Sequence, residues 1–110
     1  MNQAAHQIPH CPIEATLAAI GGKWKLIIVW YLSQRTYRYN ELLKSISGIT
    51  PKMLTQQLRE LEKDNILKRK VYPVVPPKVE YSLTPAGLDL LPVMQQMQDW
   101  GAQHKSAPTA

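Results

Sequence analysis

The sequence predicts a small, mainly α-helical domain that carries one β-hairpin. Over most of the 110 residues, apolar side chains recur every three or four positions, which is the spacing of an amphipathic helix. Between residues 67 and 83 the spacing changes to every second residue, which is typical of β-strands. Two of the helical stretches are joined by a short turn that contains Gly48, and this indicates a helix-turn-helix arrangement.

The first two helices are predicted on either side of a pair of glycines. Residues 12–20 form the first helix, with Ile13 and Leu17 on its apolar side, and the glycine pair ends it. Residues 23–34 form the second helix. Because this second stretch is apolar almost all round, we expect it to be the central helix of the core.

The third and fourth helices make up the helix-turn-helix. Residues 37–38 allow a very short strand, and residues 40–46 form the short third helix. A tight turn then leads to the fourth helix, over residues 50–65. Thr50 suits its N-cap because a hydroxyl can accept a hydrogen bond from a free backbone N–H, and Pro51 suits the first helical position.

The fourth helix has two chemically different faces. Leu54, Leu58 and Leu61 fall on one narrow stripe, which is the face expected to pack. The opposite line contains only basic or amide side chains, namely Lys52, Gln56, Arg59 and Lys63. Groups of this kind reach phosphates and base edges, although on an isolated helix a solvated surface face would explain them equally well. The interpretation therefore depends on the neighbouring elements.

A β-hairpin follows the fourth helix. Residues 67–72 and 79–83 alternate in polarity and form its two strands. The segment PVVPPK between them is rich in proline and cannot pair, so we expect it to project as a loop with Lys78 at its tip.

A last helix is predicted from the Thr84-Pro85 start signal to about residue 104, and Pro92 should kink or interrupt it. Its apolar stripe consists of Leu90, Met94, Met97 and Trp100. This stripe is large for the terminal helix of so small a domain. We therefore expect it to pack, together with Ile13 and Leu17, against a second copy of the chain, although covering its own core is the alternative.

The order of these elements is that of a winged helix-turn-helix with extra N- and C-terminal dimerisation helices. Residues 11–104 form the single domain, and residues 1–10 and 105–110 are expected to be flexible tails. In this architecture the second helix of the helix-turn-helix enters the major groove of DNA, and a two-fold dimer reads a palindromic operator.

Charge is concentrated in the part of the chain that would meet DNA. Residues 50–78 contain seven basic and three acidic residues, so this segment holds +4 of the net charge of +5. A local basic surface indicates a polyanionic partner. The single cysteine excludes an intramolecular disulfide, and no apolar run approaches the length that spans a bilayer. The sequence therefore predicts a cytoplasmic protein with no membrane partner.

Four runs of the sequence closely resemble the HxlR-type winged-helix transcriptional regulators, which are related to the MarR superfamily. They are CPIEATLAAIGGKWKLIIVWYL, YNELLKSISGITPKMLTQQLRELEKDNIL, VYPVVPPKVEYSLTPAG and LLPVMQQMQDWG, and together they cover nearly all of residues 11–101. The motifs GGKWKL, PKMLTQQLRELE and YPVVPPKVEYSLT occur in the right order and at the right spacings. The resemblance implies a homodimeric bacterial or archaeal DNA-binding regulator, and some members of the family resemble thiol sensors of oxidants or electrophiles.

The candidates for contact with double-stranded DNA are Arg38, Tyr39, Asn40, Thr50, Lys52, Met53, Gln56, Arg59 and Lys78. On the fourth helix, Gln56 is suited to adenine and Arg59 to guanine, each through paired hydrogen bonds. Lys78 is suited to the minor groove or to phosphates, and residues 38–40 to the DNA backbone at the start of the third helix. The run Lys-Arg-Lys at 68–70 is a weaker candidate, because alternate residues of a strand point to opposite faces.

Cys11 is the candidate redox-sensing residue. It precedes Pro12, which suits the first position of a helix, so the thiol lies at or next to the N-cap. The positive end of the helix dipole favours the thiolate there, and a reachable thiolate is what an oxidant sensor needs. The alternative is that Cys11 is a small buried residue that anchors the first helix.

Other classes of function find less support in the sequence. His6, His10 and Cys11 are too few ligands for a metal site, and no nucleophile elbow, phosphate loop or paired carboxylates indicate an enzyme or a cofactor. A thiol enzyme would ordinarily carry a resolving cysteine. A winged-helix module that binds only proteins, and a regulator that responds to a small ligand rather than through Cys11, remain the alternatives. The sequence does not identify the inducer.

Overall fold

In the computed structural model, residues 11–105 are described, and they form six helices and three strands. In chain order these are α1 (Pro12–Ile20), α2 (Lys25–Gln34), β1 (Tyr37–Arg38), α3 (Tyr39–Ser45), α4 (Pro51–Lys63), β2 (Leu67–Tyr72), β3 (Lys78–Leu83), α5 (Pro85–Leu88) and α6 (Leu90–His104). The predicted fold class, mainly helical with a small sheet, is confirmed. Of the two predicted tails, residues 1–10 and 106–110 lie outside the described residues.

The three strands form one antiparallel sheet in the order β1-β3-β2, so the predicted hairpin has β1 as a third strand. Tyr81 on the central strand pairs with Tyr37 on one side and with Arg69 on the other. Because side chains alternate along a strand, these three residues share one face of the sheet. Arg38, Lys70 and Glu80, which form the next paired row, share the opposite face.

The core forms where α2 and the sheet meet the leucine stripe of α4. Leu54, Leu58 and Leu61 are each at most 2% exposed, as predicted. Ile28 and Val29 of α2 are completely buried in the same cluster. The other side of α2, including Trp30, is exposed.

Both ends of α4 are fixed by local hydrogen bonds. The Thr50 hydroxyl accepts from the backbone N–H of Met53 at 3.2 Å, which confirms the predicted N-cap. The helix ends at Lys63 rather than at Asn65, because Asn65 takes the left-handed conformation with φ +59°. The N–H of Ile66 then reaches back to the carbonyl of Leu61 at 2.9 Å, which closes the helix end as a Schellman motif.

The interruption predicted in the last helix is present, but it lies at Asp89 rather than at Pro92. Thr84 caps α5 by accepting from the N–H of Gly87 at 3.0 Å. Pro92 occupies the third position of α6, where a backbone N–H has no partner within the helix. Because α6 begins at Leu90, two residues before Pro92, the missing N–H of the proline costs no hydrogen bond.

Within residues 11–105, no single helix is long and apolar enough to cross a membrane. Among the described helices, only α1 and α2 taken together reach the necessary length and apolar composition, and the chain bends by 76° between them.

Candidate nucleic-acid interface

The polar line of α4 faces outward. Lys52, Gln56 and Arg59 are all exposed and border the same shallow depression, together with Thr55. This exposure follows from the burial of the leucine stripe, because the polar line lies on the opposite side of the same helix. The residues selected from the sequence as base-contacting candidates are thus brought together on one accessible surface, which we call the α4 face (Lys52, Gln56 and Arg59).

The acids of α4 are paired with bases that lie outside this face. Glu60 contacts Lys25 at 2.7 Å, and Glu62 contacts Arg69 at 3.7 Å. Among the residues that the structure describes, neither Lys52 nor Arg59 has an acidic side chain within the 4.0 Å of an ion pair. The α4 face therefore keeps its positive charge for an external anion.

Lys25, which the sequence analysis did not select, acts on the α4 face through an ion pair with Glu60. It is buried, and its Nζ lies 2.7 Å from Glu60 Oε1. Glu60 Oε2 accepts in turn from the side-chain amide of Gln56 at 3.3 Å. The hydrogen bonds from Lys25 and then from Gln56 hold the pKa of Glu60 below its ordinary value, so the carboxylate remains charged and orients the Gln56 amide.

The Tyr39 hydroxyl is hydrogen-bonded to the first turns of α4, so it is not free to contact the DNA backbone. Its hydroxyl donates to the carbonyl of Pro51 at 3.0 Å and lies 3.1 Å from Thr55 Oγ1. Because a phenol has one proton, Thr55 is the donor in the second contact. Next to Tyr39, the backbone N–H of Arg38 donates to Glu41 Oε1 at 2.8 Å, and this bond is the main cause that lowers the pKa of Glu41.

The remaining candidates of the helix-turn-helix are divided between surface and core. Arg38, Asn40 and Thr50 are exposed, as contact with DNA requires. Met53 is half-buried and packs against the core, so most of its side chain is not offered to the groove.

Lys78 lies at the base of the wing loop, not at its tip. It is the first residue of β3 and pairs with Tyr72 across the hairpin. Its Nζ lies 3.4 Å from Glu80 Oε2 and 4.5 Å from the centre of the Tyr72 ring. The Tyr72 hydroxyl donates to Glu80 at 2.9 Å, which is the main cause that lowers the pKa of Glu80. The charge of Lys78 is thus partly offset by a carboxylate of its own strand.

A polar cavity lies beside α4, and the sequence analysis missed it. Its volume is about 310 Å³, and its polar lining consists of Tyr39, Thr55, Arg59, Glu62, Arg69 and Tyr81. Tyr81 is partly buried there, and this burial raises the pKa of its hydroxyl above the usual 10.0. We call this cavity the arginine pocket. The alternation of β2 places Arg69 on the inner face of the sheet, but only the fold brings it to α4.

An apolar groove separates α1 from α6. It has a volume of about 500 Å³, and Ile13, Leu17, Val93 and Met97 contribute to its lining. Ile13 and Leu17 are 68% and 60% exposed, and Met97 and Trp100 are 51% and 58% exposed. Two members of the apolar stripe of α6, which was predicted to face a second copy, are not exposed in this way. Met94 is buried in the chain's own core and Leu90 packs against it, because the side chains of α6 also cover the end of α2.

Cys11 is the N-cap residue of α1 and is partly exposed. Its side chain makes no capping hydrogen bond with the helix. Within the described part of the chain no group of three or more His, Cys, Asp or Glu residues is placed to hold a metal ion. His6 and His10, which the sequence analysis weighed as ligands, lie outside the described residues.

Comparison with known proteins gives consistent results. Residues 19–108 match the family model for HxlR-like helix-turn-helix proteins. The uncharacterised HTH-type transcriptional regulator YdeP of Bacillus subtilis is 54% identical over 95 residues, which cover 86% of this chain and 74% of YdeP. The solved structure of the redox regulator HypR in its oxidised form is 49% identical, with a TM-score of 0.80, and the match covers 88% of this chain and 100% of HypR. The reduced form of the transcriptional regulator YodB from B. subtilis is 38% identical with a TM-score of 0.79, over 86% of this chain and 93% of YodB.

Proposed function

We propose that this chain, which belongs to the HxlR-like helix-turn-helix family, is a transcriptional regulator that binds a palindromic operator as a homodimer. The observation that carries the proposal is the α4 face, which exposes Lys52, Gln56 and Arg59 while the acids of the same helix are paired with Lys25 and Arg69. A module that binds only proteins would have no need of such a face. In the proposed complex α4 lies in the major groove.

The three side chains of the α4 face have distinct roles in this complex. Gln56, oriented by Glu60, reads adenine through paired hydrogen bonds, and the guanidinium of Arg59 binds a phosphate of the DNA backbone. Lys52, in the first turn of the helix, contacts a phosphate and fixes the register of the protein on the duplex. Thr50 and the exposed Arg38 and Asn40 lie on the same helix-turn-helix unit and add contacts with the DNA backbone.

The homodimer is supported by the exposure of α1. Only Ile20 at its end is buried, so the helix contributes little to the core of its own chain. Ile13 and Leu17 instead face the apolar groove, beside Met97. A second copy that packs on this groove would remove these side chains from water, and each such burial contributes about 1.5–3 kcal/mol. A two-fold arrangement also presents two α4 helices to successive major grooves, roughly 34 Å apart.

The DNA proposal is tested on a duplex that the protein selects from a random library. Lys52→Ala should weaken binding to all sequences and should flatten the log–log salt dependence by about one unit, because one phosphate contact is lost. Gln56→Ala should instead relax the preference at one base pair, at a cost of about 1–3 kcal/mol. Fluorescence anisotropy at several salt concentrations measures both effects.

The matched control is Lys105→Ala, which removes one positive charge from the exposed end of α6, away from α4. It should leave the salt slope unchanged. If Lys52→Ala and Gln56→Ala bind every duplex as the parent does, the α4 face is not the DNA-binding surface.

Dimerisation is tested with the double variant Met97→Asp and Trp100→Asp. One charge in the apolar groove at position 97 and a second at the exposed position 100, one turn farther along α6, should give monomers in sedimentation equilibrium at micromolar concentration and should remove operator binding, because a single α4 reads only half a palindrome. Gln95→Asp adds a charge to an exposed position of α6 that does not line the groove and should remain a dimer. A parent protein that sediments as a monomer would contradict the proposal.

Sensing through Cys11 is the finer part of the proposal. The thiol is partly exposed at the start of α1, and α1 lines the apolar groove on which the second copy would pack. One relative is named a redox regulator. In a dimer, diamide would take two electrons and two protons from the two Cys11 thiols and leave one disulfide between the subunits. Such a bond would change how the two α1 helices, and with them the two α4 helices, are spaced.

Diamide titration during operator binding tests this part. The parent should lose or change its affinity as a dimeric band forms on a non-reducing gel, and Cys11→Ser should do neither. Equal operator binding by both proteins under oxidant would leave Cys11 with a packing role and would favour a small-ligand inducer instead.

A further inference from the structure

The geometry points to the arginine pocket as a binding site for one phosphate group, held by Arg69 and Arg59 beside α4. The pocket was not among the sites predicted from the sequence. The phosphate is supplied either by the DNA backbone, in which case the inference rests on the proposed function, or by a free phosphorylated ion.

The arginine pocket has the right size for a phosphate group. It has a volume of about 310 Å³, whereas a water molecule occupies about 30 Å³ of the liquid, so a phosphate group and several ordered waters fit. Its walls come from α4, from Tyr39 at the start of α3, and from the inner face of the sheet at Arg69 and Tyr81. A group that enters beside α4 is therefore surrounded by polar side chains from elements distant in the sequence.

Two arginines and one tyrosine supply the pocket with hydrogen-bond donors. Arg59 has no acidic partner in the described part of the chain, and Arg69 is held only through its Nε, at 3.7 Å from Glu62. The terminal nitrogens of both guanidinium groups are thus available, and a guanidinium fork matches the oxygens of a phosphate. The Tyr81 hydroxyl is partly buried and makes no hydrogen bond with any described residue. A phenol is protonated at neutral pH, and burial raises the pKa of Tyr81 further, so its hydroxyl can donate one hydrogen bond.

The lining of the pocket includes one carboxylate, that of Glu62. Glu62 offsets one of the two arginines, so the pocket carries one net positive charge. Its distance of 3.7 Å from Arg69 is longer than that of a strong charged hydrogen bond, which is about 2.7–2.9 Å. An entering phosphate can therefore compete with Glu62 for Arg69, and removal of the carboxylate should favour the phosphate.

The first experiment uses inorganic phosphate alone and needs no DNA. Phosphate replaces chloride at constant ionic strength, and NMR follows the side-chain Nε–H of the arginines. In the parent, the signals of Arg59 and Arg69 should shift and saturate. Arg69→Gln should abolish the saturable shift at Arg59, and Glu62→Gln should strengthen phosphate binding several-fold. Lys68→Gln removes the same charge from the opposite face of β2 and should bind phosphate as the parent does.

The second experiment identifies the source of the phosphate. If a DNA phosphate occupies the pocket, Arg69→Gln should reduce the salt slope of duplex binding by about one unit, equally for all sequences. If Arg69→Gln leaves the salt slope of duplex binding unchanged but no longer binds inorganic phosphate, the pocket takes a free phosphorylated ion.

The inference is overturned if neither experiment separates Arg69→Gln from the parent, or if Lys68→Gln behaves like Arg69→Gln in both. A parent that binds no duplex would refute the proposed function, but the experiment with inorganic phosphate would still show whether the arginine pocket binds phosphate. A parent that binds DNA while both experiments show no effect of Arg69→Gln would refute the pocket alone.

Discussion

The burial of three leucines on α4 is the constraint on which the rest of the structure depends. Leu54, Leu58 and Leu61 are almost completely removed from water, and each contributes about 1.5–3 kcal/mol relative to an exposed position. Since this stripe can face only the core, the opposite line of the helix must face solvent. The α4 face is therefore a direct consequence of hydrophobic packing, and a shift of one residue in the stripe would turn Gln56 and Arg59 away from it.

Electrostatics then decides what the exposed face can bind. α4 carries two acids among its basic residues, and both are engaged by bases from other elements, Lys25 from α2 and Arg69 from β2. The buried Lys25 has the larger effect, because an ion pair at 2.7 Å fixes Glu60, and Glu60 holds the amide of Gln56. The same elements that form the core thus leave a cationic surface and orient one of its donors.

Local signals in the sequence were sufficient for most elements of the fold. Thr50 and Pro51 fixed the start of α4, and the change of period after residue 66 located the hairpin. Contacts between distant elements were not predictable in this way. The burial of Met94, the pairing of Lys25 with Glu60 and the meeting of Arg69 with α4 all depend on how helices and strands pack. The prediction that Lys78 lies at the tip of the wing loop was wrong for a related reason. β3 begins at Lys78, one residue earlier than the alternation of polar and apolar residues indicated.

Methylation interference on the selected duplex tests the central claim most directly. Dimethyl sulfate methylates guanine N7 in the major groove and adenine N3 in the minor groove, so it reports which groove α4 enters. The account predicts that guanine N7 methylation blocks binding in two clusters, with centres about 10–10.5 base pairs apart on one face of the DNA. Interference from adenine N3 alone, or no interference at all on a duplex that the protein binds, would contradict it.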